Sequence, residues 1–289
     1  GEKSGYYADF GTFADLVKGF REGFVLSGEY STYRKRRHGS SSAAIPPGQL
    51  VVFSQNHDQV GNRLRGERLH EHLSLAQLKL AAATTLLSPY LPLLFMGEEY
   101  GEAAPFPYFV SHSDPELVAG VRQGRLEEFA AFGNQSIPPD PQAEETFLSA
   151  KLDPEQRHQD DHGNLFNFYR ELIRLRKECQ PLNSLSREGM EIIAAEDARL
   201  LTIIRNHNGE QVICLFNYSG QSCEIHLPAV SGRLLVLLDS CGSFSPGSRV
   251  TVSGDHPGAC LLLAPFGVRV LQRTDDPSAV SAVEAKGDI

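Results

Sequence analysis

Between Ser54 and Arg63 the chain reads Ser-Gln-Asn-His-Asp-Gln-Val-Gly-Asn-Arg, which sets amides, an imidazole, a carboxylate and a guanidinium side by side. An aspartate in such company can accept hydrogen bonds from two neighbouring hydroxyls and hold negative charge near a developing positive one. His57-Asp58 is therefore either a structural ion pair or a functional one. A second acidic group, Glu98-Glu99, follows Gly97. Both are candidates for rim support or for binding. Tyr33 and Arg34 open a basic segment ending at His38, which is either a solvated loop or a loop folded over a polar ligand. Tyr100, Phe106, Tyr108 and Phe109 either stack on the flat face of a ligand or pack in the core. His158, Asp160, Asp161 and His162 lie close in sequence, but their spacing fits no closed zinc site, and no metal or cofactor is expected.

These groups need elements to position them. Leu50–Phe53 is a short apolar β-prone run that ends at the polar cluster, and Leu91–Met96 is another that ends at Gly97-Glu98-Glu99. Between them, Leu73–Leu87 has apolar residues around much of a helix. The three predict a β-α-β unit with parallel strands and a right-handed crossover. Continuous apolar strands predict burial of both faces. Each strand stops at carboxylates, and parallel α/β folds place their chemistry beyond the C-terminal strand ends. Further helices are predicted over Thr12–Phe24 with Thr12 as N-cap, over Pro115–Phe132 with Asp114 as N-cap, over Thr146–Leu152, and over Leu165–Cys179. After Gln180-Pro181 the pattern becomes short β-prone runs from Met190 to Gln272 separated by turns such as His207-Asn208-Gly209, which predicts an antiparallel β-sandwich.

Composition narrows the function classes. The 289 residues suffice for one large or two ordinary domains and for a core without disulfides. A net charge of −9 argues against nucleic-acid or anionic-membrane partners, which need a basic surface. No apolar run approaches the ~20 residues of a membrane span. Five cysteines, an odd number without CxxC spacing, fit a reducing, cytoplasmic setting. Trp is absent, so any aromatic platform must be Phe or Tyr.

Gln55-Asn56-His57-Asp58-Gln59-Val60-Gly61-Asn62-Arg63 resembles the fourth conserved region of the α-amylase superfamily of glycoside hydrolases, and Pro92–Glu99 resembles its last barrel strand. The longer run through Gly66-Glu67-Arg68-Leu69 is similar to the malto-oligosyltrehalose trehalohydrolase family, as are Gly5–Gly11, Arg21–Phe24, Pro105–Phe109 and His112–Leu117. The resemblance implies an α/β plus all-β architecture: residues 1–185 as the C-terminal part of a (β/α)8 TIM barrel and residues 186–273 as an antiparallel β-sandwich domain; the polar composition of 274–289 predicts a disordered tail. It implies retaining hydrolysis of the α-1,4 bond that joins trehalose to a malto-oligosyl chain. Residue by residue, it makes Asp58 the transition-state stabiliser and His57 its partner on the same sugar ring. Asn56, Gln59, Arg63, Glu98, Tyr100, Phe106, Tyr33 and Arg34 are the accompanying candidates for substrate binding. It also places the chain's start after the sixth barrel strand, so the nucleophile Asp and the acid/base Glu are expected upstream and the chain alone is expected to be inactive. A branching enzyme acting on α-glucan and a non-catalytic carbohydrate-binding protein are the alternatives.

Overall fold

The structure is a computed structural model that describes residues 5–131, 136–227, 233–242, 250–253 and 260–274. In chain order the elements are α1 (Phe13–Glu22), β1 (Tyr30–Ser31), β2 (Arg36–Arg37), β3 (Val51–Val52), α2 (His57–Gly61), α3 (Leu75–Leu86), β4 (Leu91–Pro92), α4 (Pro115–Ala131), α5 (Glu144–Ser149), α6 (Asp160–Glu178) and α7 (Gln180–Asn183). Eight strands follow: β5 (Met190–Ala195), β6 (Leu200–His207), β7 (Glu210–Asn217), β8 (Cys223–His226), β9 (Arg233–Asp239), β10 (Val250–Ser253), β11 (Cys260–Leu263) and β12 (Val268–Thr274). All eight lie where the β-prone runs predict strands. Beyond Thr274 the expected disordered tail falls outside the described residues. The chain divides into two compact units, one of residues 1–52, 79–92 and 170–289, the other of residues 53–78 and 93–169.

In the first unit, six strands form an antiparallel sheet in the order β10-β9-β12-β7-β6-β5, and β11 pairs with β8 in a second sheet. Leu200, Ile204, Ile213, Leu215, Leu234 and Leu271 of the large sheet share one buried cluster with Ile225 and Leu263 of the small one, the layering of a sandwich. The β6–β7 hairpin turns at Asn208 (φ 49°) and Gly209 (φ 84°), two successive left-handed residues as a two-residue hairpin requires. The other face of β6 and β7 is also buried: Phe216 meets Phe20 of α1, and the Tyr218 hydroxyl lies 2.8 Å from Thr84 Oγ1 of α3. Thr12 caps α1 reciprocally with Asp15, as its position predicts.

β3 and β4 pair in parallel, Val51 opposite Leu91 and Val52 opposite Pro92, with α3 between them in sequence. The strands are two residues long where four to six are predicted. Pro92 has no N–H to extend the ladder. Burial on both faces is not observed: Val51 is 54% and Leu91 40% exposed. Among the described residues these two strands pair only with each other, and the exposed pair Val51 and Leu91 stand opposite each other while Val52 and Pro92 are half-buried. Arg176 of α6 holds the turn into β4 by donating to the carbonyls of Leu86, Ser88 and Tyr90.

The second unit holds α2, α4, α5, the first half of α6 and the loop from Leu93 to Asp114. α6 begins at Asp160, five residues before the predicted Leu165, because Asp160 and Asp161 occupy a first turn where acidic side chains favour the exposed N–H groups. Asp114 Oδ1 accepts from the N–H of Glu116 and Leu117, capping α4 as predicted.

Candidate active-site wall

The polar half of the opening motif is a strand-to-helix turn. Asn56 is the N-cap of α2, extended at φ −147° and ψ 177°, and its Oδ1 accepts from the Gln59 N–H at 2.8 Å. His57 and Asp58 form the first helical residues, where the unpaired N–H groups suit a carboxylate. Their side chains are open to solvent, 70% and 75% exposed, with Nε2 to Oδ1 at 3.3 Å. A surface pair of this kind contributes little to stability, on the order of 0–1 kcal/mol. Both groups are thus presented outward with most of their hydrogen-bonding capacity available. Gln59 and Arg63 are exposed as well; Arg63 Nη2 lies 3.0 Å from His72 Nε2.

Behind this turn the structure is dense. Gln55 is buried, and its Oε1 accepts from the Leu69 N–H at 3.3 Å. Glu98 is 4% exposed and accepts from the Tyr169 hydroxyl at 3.2 Å. Burial pushes its carboxyl up to about 7, against the opposing effect of the Phe95 backbone and the Tyr169 and Gln55 side chains. Glu98 and Tyr100 lie on a short 3-10 turn bounded by Gly97 (φ 85°) and Gly101 (φ 67°). Tyr100 is buried and its hydroxyl donates to Glu102 Oε2 at 2.9 Å, so its ring presents no free face to a ligand. Phe106 stands in a ladder of edge-to-face rings, Phe95–Phe106–Phe109–Phe147, with centroids 5.2–5.5 Å apart.

Two buried charges complete the support. Glu102, fully buried, takes hydrogen bonds from the N–H of Ala104 and Asp153 and from Tyr100. Burial alone would raise its carboxyl; those donors and the Arg68 charge outweigh burial and leave it lowered. Arg68, 2% exposed, donates to the carbonyls of Ala104 (2.7 Å) and Met96 (2.8 Å) and lies over the Phe95 ring. In sequence Arg68 stands in the family-like run as a residue that could orient rim carboxylates, whereas Glu102 looks like an ordinary surface charge. Of the metal candidates, His162 Nδ1 lies 2.7 Å from the Tyr100 carbonyl and His158 Nε2 accepts from Arg157. Among the described residues no three or more His, Cys, Asp or Glu side chains are placed so that they could hold a metal ion.

Tyr33 and Arg34 belong to the other unit, in the turn of the β1–β2 hairpin, and both are exposed. Asp9 holds that turn through the Ser31 and Thr32 hydroxyls and the Thr32 N–H at 2.7 Å. Those hydroxyls come first in keeping its carboxyl down at about 2.

Known proteins place this arrangement. The chain is 40% identical over 255 residues to a malto-oligosyltrehalose trehalohydrolase of Brevibacterium helvolum, covering 87% of this chain and 42% of that protein. It is 46% identical over 178 residues to the enzyme of that name from Saccharolobus solfataricus, covering 62% of this chain and 30% of the relative. The resemblance is to the malto-oligosyltrehalose trehalohydrolases. This chain spans less than half the length of these trehalohydrolases. Residues 190–268 match the family described as the maltogenic amylase C-terminal domain. Among solved structures, a protein assigned as an α-amylase from Salmonella typhimurium is 31% identical, with a TM-score of 0.75 over 94% of this chain and 44% of its own. The fold is accordingly the C-terminal part of an α-amylase-type (β/α)8 barrel followed by an antiparallel β-sandwich. No helix among the described residues is long and apolar enough to cross a membrane.

Proposed function

We propose that this chain is the C-terminal portion of a longer cytoplasmic trehalohydrolase, which releases trehalose from malto-oligosyltrehalose by retaining hydrolysis of the α-1,4 bond next to trehalose. Residues 1–185 are its last barrel part and 186–273 its sandwich domain. The observation that carries the reading is the open His57-Asp58 pair at the start of α2, immediately after a parallel strand, within a stretch of close similarity to trehalohydrolases. In this reading Asp58 accepts hydrogen bonds from two hydroxyls of the sugar before the cut. His57 contacts the same ring. The grip strengthens as the ring flattens toward an oxocarbenium ion, so it lowers the barrier rather than only binding substrate.

Gln59 and Arg63 extend the exposed rim, and Asn56 serves through its cap. Glu98, Tyr100 and Phe106 act from beneath, as the packed layer that fixes the turn, and Tyr33 and Arg34 serve the acceptor side. The covalent step requires an Asp nucleophile and a Glu acid/base, which the proposal places upstream of Gly1. No cofactor enters the reaction.

The test is Asp58→Asn in the longer protein, assayed for trehalose released from maltosyl trehalose. Turnover is expected to fall by about a hundredfold or more, the range for a lost transition-state contact. Turnover within twofold of the parent would remove Asp58 from the site. Formation of α-1,6 branches in place of trehalose would point to a branching enzyme.

A further inference from the structure

α4 is an exposed helix with a narrow attachment. Among its residues with described side chains, only Arg125 and Phe129 are buried, one turn apart on the same face. The Arg125 guanidinium lies between two rings, 5.0 Å from the Tyr108 centroid and 4.7 Å from that of Phe129. Its Nη2 donates to the Gly61 carbonyl at 3.2 Å, and its Nη1 to Asn62 Oδ1 at 3.3 Å and to Glu128 at 2.8 Å. Gly61 ends α2, and the Asn62 N–H donates to the Asp58 carbonyl at 3.0 Å.

The arginine therefore grips the C-terminal end of the very helix that carries Asp58 in its first turn. A cation on the last carbonyls of a helix is favourable electrostatically, and a planar fork fixes direction as well as charge. At the other end, the Asn56 cap and buried Gln55 hold the approach to the helix. A five-residue helix makes few bonds of its own, so its orientation depends on such end contacts.

We infer that Arg125 is a positioning residue for Asp58, acting through Gly61 and Asn62. The inference rests on the proposed role of Asp58. An arginine in this place orients a transition-state contact without touching substrate, so its loss should lower kcat and leave KM nearly unchanged.

The experiment is a double-mutant cycle in the longer protein, with maltosyl trehalose as substrate and released trehalose as readout. Arg125→Met should lower kcat about tenfold, with KM within about threefold, when Asp58 is present. In an Asp58→Asn background the same change should lower kcat less than twofold, because there is no longer a carboxylate to place. Arg125→Lys should recover only part of the loss, since an ammonium lacks the fork. Asn62→Ala, at an exposed position, removes one arm of the grip without disturbing the packed arginine and should lower kcat about threefold. It carries the test if Arg125→Met does not fold. Equal losses in both backgrounds, or full kcat in a folded Arg125→Met or Asn62→Ala protein, would overturn the inference while leaving Asp58 in the site. Parental turnover in Asp58→Asn alone would overturn both.

Discussion

Two carboxylates of the second unit meet opposite environments, and each predicts a distinct behaviour. Asp58 is open to solvent and free to bind; Glu98 is almost wholly buried, with one oxygen accepting from Tyr169. The fold raises the Glu98 carboxyl from an ordinary 4.5 to about 7. The folded state therefore holds a proton that the unfolded chain has released between those values. Stability from this group is fully present below about 4.5 and is lost as pH rises through 7. At about 1.4 kcal/mol per pKa unit, the loss is on the order of 3 kcal/mol. Glu98→Gln keeps the size and an acceptor oxygen but cannot ionise. Thermal unfolding followed from pH 5 to 8 should find the variant gaining on the parent up to about pH 7 and holding a constant lead above it. Parallel curves for the two proteins would contradict this. None of it was legible in the sequence, where Glu98 and Glu99 look alike; only the 3-10 turn between two left-handed glycines turns the first inward.

At the scale of elements, the sandwich strands were legible almost residue by residue. Their β-prone runs and the Asn208-Gly209 turn are local signals, and the local signal agrees with the tertiary fold. The short parallel pair was legible in order and direction but not in length or burial. Strand length depends on partners across the ladder and burial on a covering layer, and neither is written in the strand itself. The polar motif was legible as chemistry and not as a helix, since five residues are too few for a helical period to appear. Arg125 and Glu102 carried no signal, because a buried charge whose hydrogen-bond partners are distant in sequence looks like a surface charge.

Close backbone packing makes one element-scale prediction. Gly66 sits at φ 72°, its carbonyl accepts from the Phe106 N–H at 2.8 Å, and a Cβ there would fall 2.1 Å from the Pro107 nitrogen. Gly66→Ala must both strain the backbone and push the 106–107 segment away. A loss of roughly 2 kcal/mol or more is expected as a lower denaturant midpoint. An unchanged midpoint would mean that the two segments do not approach as closely as described.

At the scale of the whole molecule, the chain joins part of a barrel to a complete set of predicted sandwich strands, and it covers less than half of each trehalohydrolase it resembles. The family resemblance was carried by a few dense motifs, and in the proposed reading these supply the ring-gripping Asp and His while the nucleophile and acid/base lie elsewhere in the longer protein. Glu98 and Glu102 are buried, Glu98 accepting from Tyr169 and Glu102 from Tyr100. The central claim is therefore that this chain supplies one wall of a trehalose-releasing site and no more. Incubating the 289-residue chain alone with maltosyl trehalose, and the longer protein in parallel, tests it most directly. The account predicts trehalose from the longer protein and none from the chain; clear release of trehalose by the chain alone would contradict it.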